Sequence, residues 1–120
     1  MLTYDTLLPE ALRLFPEFKK EYNKLMTEDE IDAETGNHIV FSYAFVPVLI
    51  KAIQTGNKKV SVPMFEFIDK MAACEDNAVG EVCDFTILEE LNDAISDDIL
   101  VPYFGEETMK DFQLIKRYMR

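Results

Sequence analysis

The run Ile39-Val40-Phe41-Ser42-Tyr43-Ala44-Phe45-Val46-Pro47-Val48-Leu49-Ile50 is broken only by Ser42 and Pro47, and it continues through Lys51-Ala52-Ile53-Gln54-Thr55 before meeting Gly56. So apolar a segment is driven out of water, and the rest of the chain has to cover it on several sides. β-branched and aromatic residues at this density suit a buried strand as well as a buried helix. Length favours the helix, because the run without a turn signal exceeds an ordinary strand. It is predicted to be the central helix, apolar nearly all round, kinked near Pro47 and closed by a glycine C-cap at Gly56. The twelve residues from Ile39 to Ile50 are too few to span a bilayer.

The flanking segments read as amphipathic helices that supply this cover. Around Asp5 to Leu14, the residues Leu8, Leu12 and Phe15 fall at helical spacing, with Pro9 placed early in the helix. Pro16 followed by Glu17 opens a second helix carrying Phe18, Tyr22, Leu25 and Met26 on one stripe. After Gly56, a helix is expected from Ser61-Val62-Pro63, with Phe65, Ile68, Met71 and Ala72 inward and Asp69 and Lys70 outward. Asn77 is the expected cap of the next. Its apolar positions Val79, Val82, Cys83, Phe85, Ile87, Leu88, Leu91 and Ile95 are wide enough to need neighbours on two sides.

A short turn or connector from Asp97 to Phe104 is closed by Gly105. The last helix, Glu106 to Met119, places Glu106 and Glu107 in its first turn and Lys116 and Arg117 in its last, the order a helix dipole favours. The fold class predicted is all-α, six or seven short antiparallel helices in a two-layer helical bundle, occupying 1–120 as a single helical domain.

At 120 residues such a chain can bury roughly two thirds of its unfolded surface, so it needs neither disulfide nor metal to fold. Cys74 and Cys83 stand in no C-x-x-C pair and read as small buried hydrophobes of a reducing compartment. The start Met1-Leu2-Thr3-Tyr4-Asp5 has neither the basic opening nor the apolar stretch of a secretory leader, so a cytoplasmic location is expected. Twelve Lys and Arg against twenty-three Asp and Glu give a net charge of −11. That field repels polyanions, so no direct nucleic-acid partner is expected. A basic protein would be attracted, with association faster by about ten- to a thousandfold at low salt.

Catalytic and metal-binding patterns fail on spacing. An EF-hand register on Gly36 would put Ile31 at the first ligand position and Ser42 where a glutamate is needed. His38 is the only histidine, so no histidine pair can hold zinc, and a lone base beside Glu34 has no orienting partner in the sequence. Glu89-Glu90, Asp97-Asp98 and Glu106-Glu107 are adjacent acids, which diverge by about 100° on a helix and do not face each other across a cleft. No nucleophile elbow, Walker loop or dinucleotide fingerprint occurs. No enzyme activity and no cofactor are expected.

The segments Pro16-Glu17-Phe18-Lys19-Lys20-Glu21-Tyr22, Gly36-Asn37-His38-Ile39-Val40-Phe41 and Asn77-Ala78-Val79-Gly80-Glu81-Val82-Cys83-Asp84-Phe85-Thr86-Ile87-Leu88-Glu89-Glu90-Leu91 come in an order that resembles a family of small, acidic, all-helical bacterial proteins of unknown function. Phe104-Gly105-Glu106-Glu107 stands where that family turns into its last helix. Asp32-Ala33-Glu34-Thr35 and Pro47 depart from its pattern. The resemblance implies paired helices, a cytoplasmic bacterial setting, and similarity to immunity proteins of polymorphic-toxin and contact-dependent inhibition systems.

The functional expectation is therefore an immunity protein that neutralises a cognate basic toxin, a nuclease, through an acidic surface. The expected contact residues are Asp29, Glu30, Asp32 and Glu34 in the loop before the central helix, and Asp97, Asp98, Glu106 and Glu107 as a second set. The alternative is a small-molecule-binding or regulatory helical domain with a pocket near Tyr43, Phe45 and Phe85.

Overall fold

In the computed structural model, which describes residues 2–28 and 36–118, every regular element among the described residues is helical. There are seven such helices: α1 (Tyr4–Leu14), α2 (Pro16–Glu28), α3 (37–54), α4 (Lys58–Ala72), α5 (77–94), α6 (97–103) and α7 (Glu106–Tyr118). The all-α class expected from the sequence is what the chain adopts. No described helix is long and apolar enough to cross a membrane.

The apolar run does form the central helix. Its inner face buries Val40, Phe41, Ala44, Phe45, Val46 and Leu49. Phe15 and Phe18 reach it from the α1–α2 junction, and Phe67 reaches it from α4. Their rings meet Phe41 and Phe45 with centroids 5.3 to 6.4 Å apart, and Phe15 and Phe18 meet Phe45 edge-to-face, an arrangement aromatic quadrupoles prefer. A second aromatic group ties α4 to α6 and α7: Phe65 stacks on Tyr103 at 4.6 Å, and Phe104 packs on Phe112 at 4.8 Å.

Pro47 leaves a particular mark on α3. It has no N–H for the Tyr43 carbonyl, and its ring would press on that carbonyl in a regular α-helix. The backbone answers one turn earlier. Phe41–Phe45 is π-helical, with the Val46 N–H bonded to the Phe41 carbonyl, and the α-helix resumes at Val46. The predicted irregularity near Pro47 is thus a π turn. The predicted glycine cap is also present: Gly56 has φ 69°, and around it the Asn57 N–H bonds Ala52 O at 2.8 Å while the Gly56 N–H bonds Ile53 O at 3.2 Å. That is the Schellman pairing, which wants glycine at the left-handed position.

Short turns join α3 to α4 and α4 to α5, so consecutive helices run antiparallel and α3 and α5 run parallel. Three local expectations change. Helix α4 begins at Lys58, earlier than Ser61, with Pro63 inside it. Pro9 likewise lies beyond the first turn of α1, which starts from a Thr3–Thr6 capping box. The cap of α5 is Asp76, which accepts the Ala78 N–H at 3.0 Å through one oxygen and the Tyr4 N–H at 2.9 Å through the other, so one carboxylate serves two helix starts.

A further change concerns Asp69, expected to face outward. It is half-buried instead, and its Oδ1 accepts both the Thr108 N–H at 2.9 Å and the Thr108 hydroxyl at 2.8 Å. Asp69 caps α7 from a different helix. Gly105 makes this approach possible, since a β-carbon there would collide with the Asp69 carboxyl group. We predict that Asp69→Ala and Gly105→Ala each lower stability by about 1 to 2 kcal/mol, the usual cost of losing a cap. Chemical denaturation of both variants checks this; an unchanged midpoint for Gly105→Ala would contradict the close approach.

Candidate functional site

Two places in the fold bring polar chemistry together. The first is the seam between the parallel helices α3 and α5. The His38 Nδ1 and Thr86 hydroxyl lie 2.7 Å apart, and the Ser42 hydroxyl donates to Glu90 Oε1 at 2.9 Å. His38 and Ser42 are four residues apart, as are Thr86 and Glu90, so one stripe of each helix faces the other in register. Both helices turn π-helical here, over Phe41–Phe45 and Cys83–Leu88. In α5 there is no proline to cause it. His38 is thus committed to a structural hydrogen bond in the seam.

The second place is the junction of α4, α5 and α7, where Cys83, Asp84 and Asp111 put one ligand-type atom each within 4.8 Å of one another. Cys83 is fully buried, and burial pushes its thiol well above the ordinary range, with the Asp84 charge adding to it. Its Sγ faces the Ile68 carbonyl at 3.8 Å. A thiol so placed is neither a ready nucleophile nor a ready metal ligand. Asp84 Oδ1 is buried and no donor reaches it. Burial first, and then Asp111 opposite, push the Asp84 carboxyl up to about 7. Two acceptor-only groups can face each other in a partly dry site only when a proton lies between them. This close acid pair lies outside the adjacent pairs visible in the sequence, because its partners are 27 positions apart and meet only through packing.

Of the predicted contact residues, Asp29, Glu30, Asp32 and Glu34 lie outside the described residues. Asp97 and Asp98 are exposed at the start of α6, and at the start of α7 Glu106 is exposed and Glu107 half-buried. Three of these four meet a lysine of α7: Asp97 pairs with Lys116 at 3.0 Å, and Lys110 lies 3.3 Å from Glu107 and 3.8 Å from Glu106. The structure separates the residues of the pocket expected near Tyr43, Phe45 and Phe85. Phe45 is sealed in the aromatic core, whereas Tyr43 is 60% and Phe85 61% exposed. A groove of about 600 Å³ lies elsewhere, between α1 and α4, lined by Leu2, Thr6, Leu14, Phe67, Lys70 and Cys74 among others.

What the sequence reading missed is how the charge is distributed. Residues 71–109 contain eleven carboxylates and no lysine or arginine. This stretch covers α5, α6 and the start of α7, and the basic residues fall on α1, α2, α4 and the ends of α3 and α7. A simple scan for base-free stretches would have found it.

The fold and these sites define a small helical protein whose helices α5 and α6 carry carboxylates and no lysine or arginine. The chain belongs to the family described as Domain of unknown function (DUF7674), which it matches over residues 8–120. No curated protein matches it, and no solved structure does.

The Asp84–Asp111 contact has a consequence for pH. The Asp84 carboxyl moves from 3.8, its ordinary value, to about 7 in the folded chain, so folding favours its protonated form. The stability this gives is complete below about 3.8, declines as pH rises, and is gone above about 7. Asp84→Asn is expected to match the parent near the lower end of that window and to become the more stable of the two toward its upper end. Unfolding free energies measured across the window check this; parallel pH profiles would contradict it.

Proposed function

We propose that this protein is a non-enzymatic immunity protein, acting in the cytoplasm, that binds and neutralises a cognate basic toxin, most concretely a nuclease, through its acidic surface. The observation that carries the reading is the base-free stretch of residues 71–109, which concentrates eleven carboxylates on consecutive helices. Charge collected on one part of a surface steers an oppositely charged partner better than the same charge spread evenly. Blocking an active site needs complementary shape and charge, with no reaction on the blocker's side. That agrees with the interior chemistry, where the Cys83 thiol is buried and pushed well above its ordinary range.

Asp97, Asp98, Glu106 and Glu107 remain part of the proposed contact surface, together with Asp29, Glu30, Asp32 and Glu34. Exposed ion pairs such as those to Lys110 and Lys116 are worth only about 0 to 1 kcal/mol each, so a partner's bases can displace them at little cost.

The test is binding to the protein encoded by the adjacent upstream gene. Co-purification is expected at about 50 mM salt and should weaken steadily toward about 500 mM as the charges are screened. Absence of binding at the lower salt would remove the reading.

A further inference from the structure

We propose that the solvent side of the α3–α5 seam, centred on Tyr43 and Phe85, is the contact surface for an arginine-bearing face of a basic protein. The partner's class rests on the preceding reading; the location and the preference for arginine do not.

Phe85 is the one phenylalanine of the nine that the fold leaves exposed. It neighbours Thr86 in the seam, and Tyr43 neighbours Ser42, so each exposed ring sits one residue from a hydrogen bond that fixes its helix against the other. Ile39, 47% exposed and one turn before Tyr43, adds to the apolar surface. A chain that buries its other eight phenylalanines wholly or in part has no folding reason to leave this one in water, and exposed apolar groups gathered together mark interaction sites.

The surroundings say what would cover them. Helix α5 carries Glu81, Glu89, Glu90 and Asp93 on the positions flanking Phe85, and apart from His38, which is bonded to Thr86, the one basic side chain on either helix is Lys51 in the last turn of α3. Among the described residues, none of the carboxylates of α5 is ion-paired. Other exposed apolar groups, Leu114 at 51% and Tyr118 at 76%, share their helix with Lys110, Lys116 and Arg117, so their field is mixed. Only at the α3–α5 seam do exposed rings coincide with unopposed carboxylates.

A guanidinium group suits that combination. It lies flat on an aromatic face while its edge pairs with a carboxylate, which an ammonium group does less well. The two seam bonds and the buried inner faces hold the rings in place beforehand, which lowers the ordering cost of binding.

The experiment titrates the isotopically labelled full chain with an oligo-arginine peptide and, separately, an oligo-lysine peptide of equal length, followed by NMR. The largest amide shifts are expected at Ile39, Tyr43, Glu81 and Phe85, with arginine binding about three- to tenfold tighter than lysine. The Tyr43→Ser, Phe85→Ser double variant should lose that preference with an unchanged circular dichroism spectrum, since both side chains are exposed. Shifts centred on Asp97, Asp98, Glu106 and Glu107, or spread evenly over the acids, would overturn the surface.

The same double variant, tested against the upstream gene's product, should bind at least about tenfold more weakly than the parent. Undiminished binding of the variant removes this surface and keeps the immunity reading. No binding by the parent, with peptide shifts still at the seam, keeps the surface and removes the immunity reading.

Discussion

The fold turns on helix α3, which has to be covered on most of its circumference while carrying a proline in its middle. A regular α-helix through Pro47 would strand the Tyr43 carbonyl inside the most apolar part of the chain, where an unpaired polar group is costly. Lengthening the hydrogen bonds over Phe41–Phe45 re-pairs the backbone before the proline is reached. Phe41, Ala44 and Phe45 all stay within the core across that turn, and the rings of Phe15, Phe18 and Phe67 close around them. The irregular turn is therefore part of the packing, because the aromatic cluster is assembled on it.

The second constraint is charge. A net −11 on 120 residues works against a compact state unless the carboxylates stay wet or find donors. Several carboxylates that the packing draws inward have a specific answer. Asp76 takes backbone N–H groups from two helix starts, Asp69 takes a backbone and a side-chain donor from α7, and Glu90 takes the Ser42 hydroxyl. Asp84 Oδ1 has no donor, and there burial, with Asp111 opposite, raises the carboxyl to about 7. Several of the inward carboxylates thus hold helices together, whereas the exposed Glu81 and Asp93 of α5 take part in no ion pair among the described residues.

Periodicity made the helices readable. Pro16, Gly56 and the charge order of Glu106 to Arg117 announced three helix ends correctly, because the signals are local and set by backbone geometry. Pairings between distant residues were not readable. Asp69 looked like an outward acid because its partner, Thr108, is 39 positions away. Phe85 looked like core because periodicity counts it with Val82 and Leu88, yet the π-helical stretch changes how the positions from Cys83 to Leu88 are divided between inside and outside. Nothing in the residue types of α5 signals that stretch. The exposed rings of the seam were thus hidden behind the same irregularity that places them.

These points bear on how such a protein can work. A catalytic site usually appears as polar groups held in a cleft without a folding reason, and several of the inward polar groups here have one. Asp69 starts α7, Asp76 starts α5 and holds α1, and His38, Thr86, Ser42 and Glu90 register α3 against α5. The features without a folding reason lie outside: Tyr43 and Phe85 in water, and a run of carboxylates with no bases among them. Surplus of that kind on a rigid helical surface is recognised by shape and charge, and a partner that supplies arginine beside an apolar contact satisfies both parts at once.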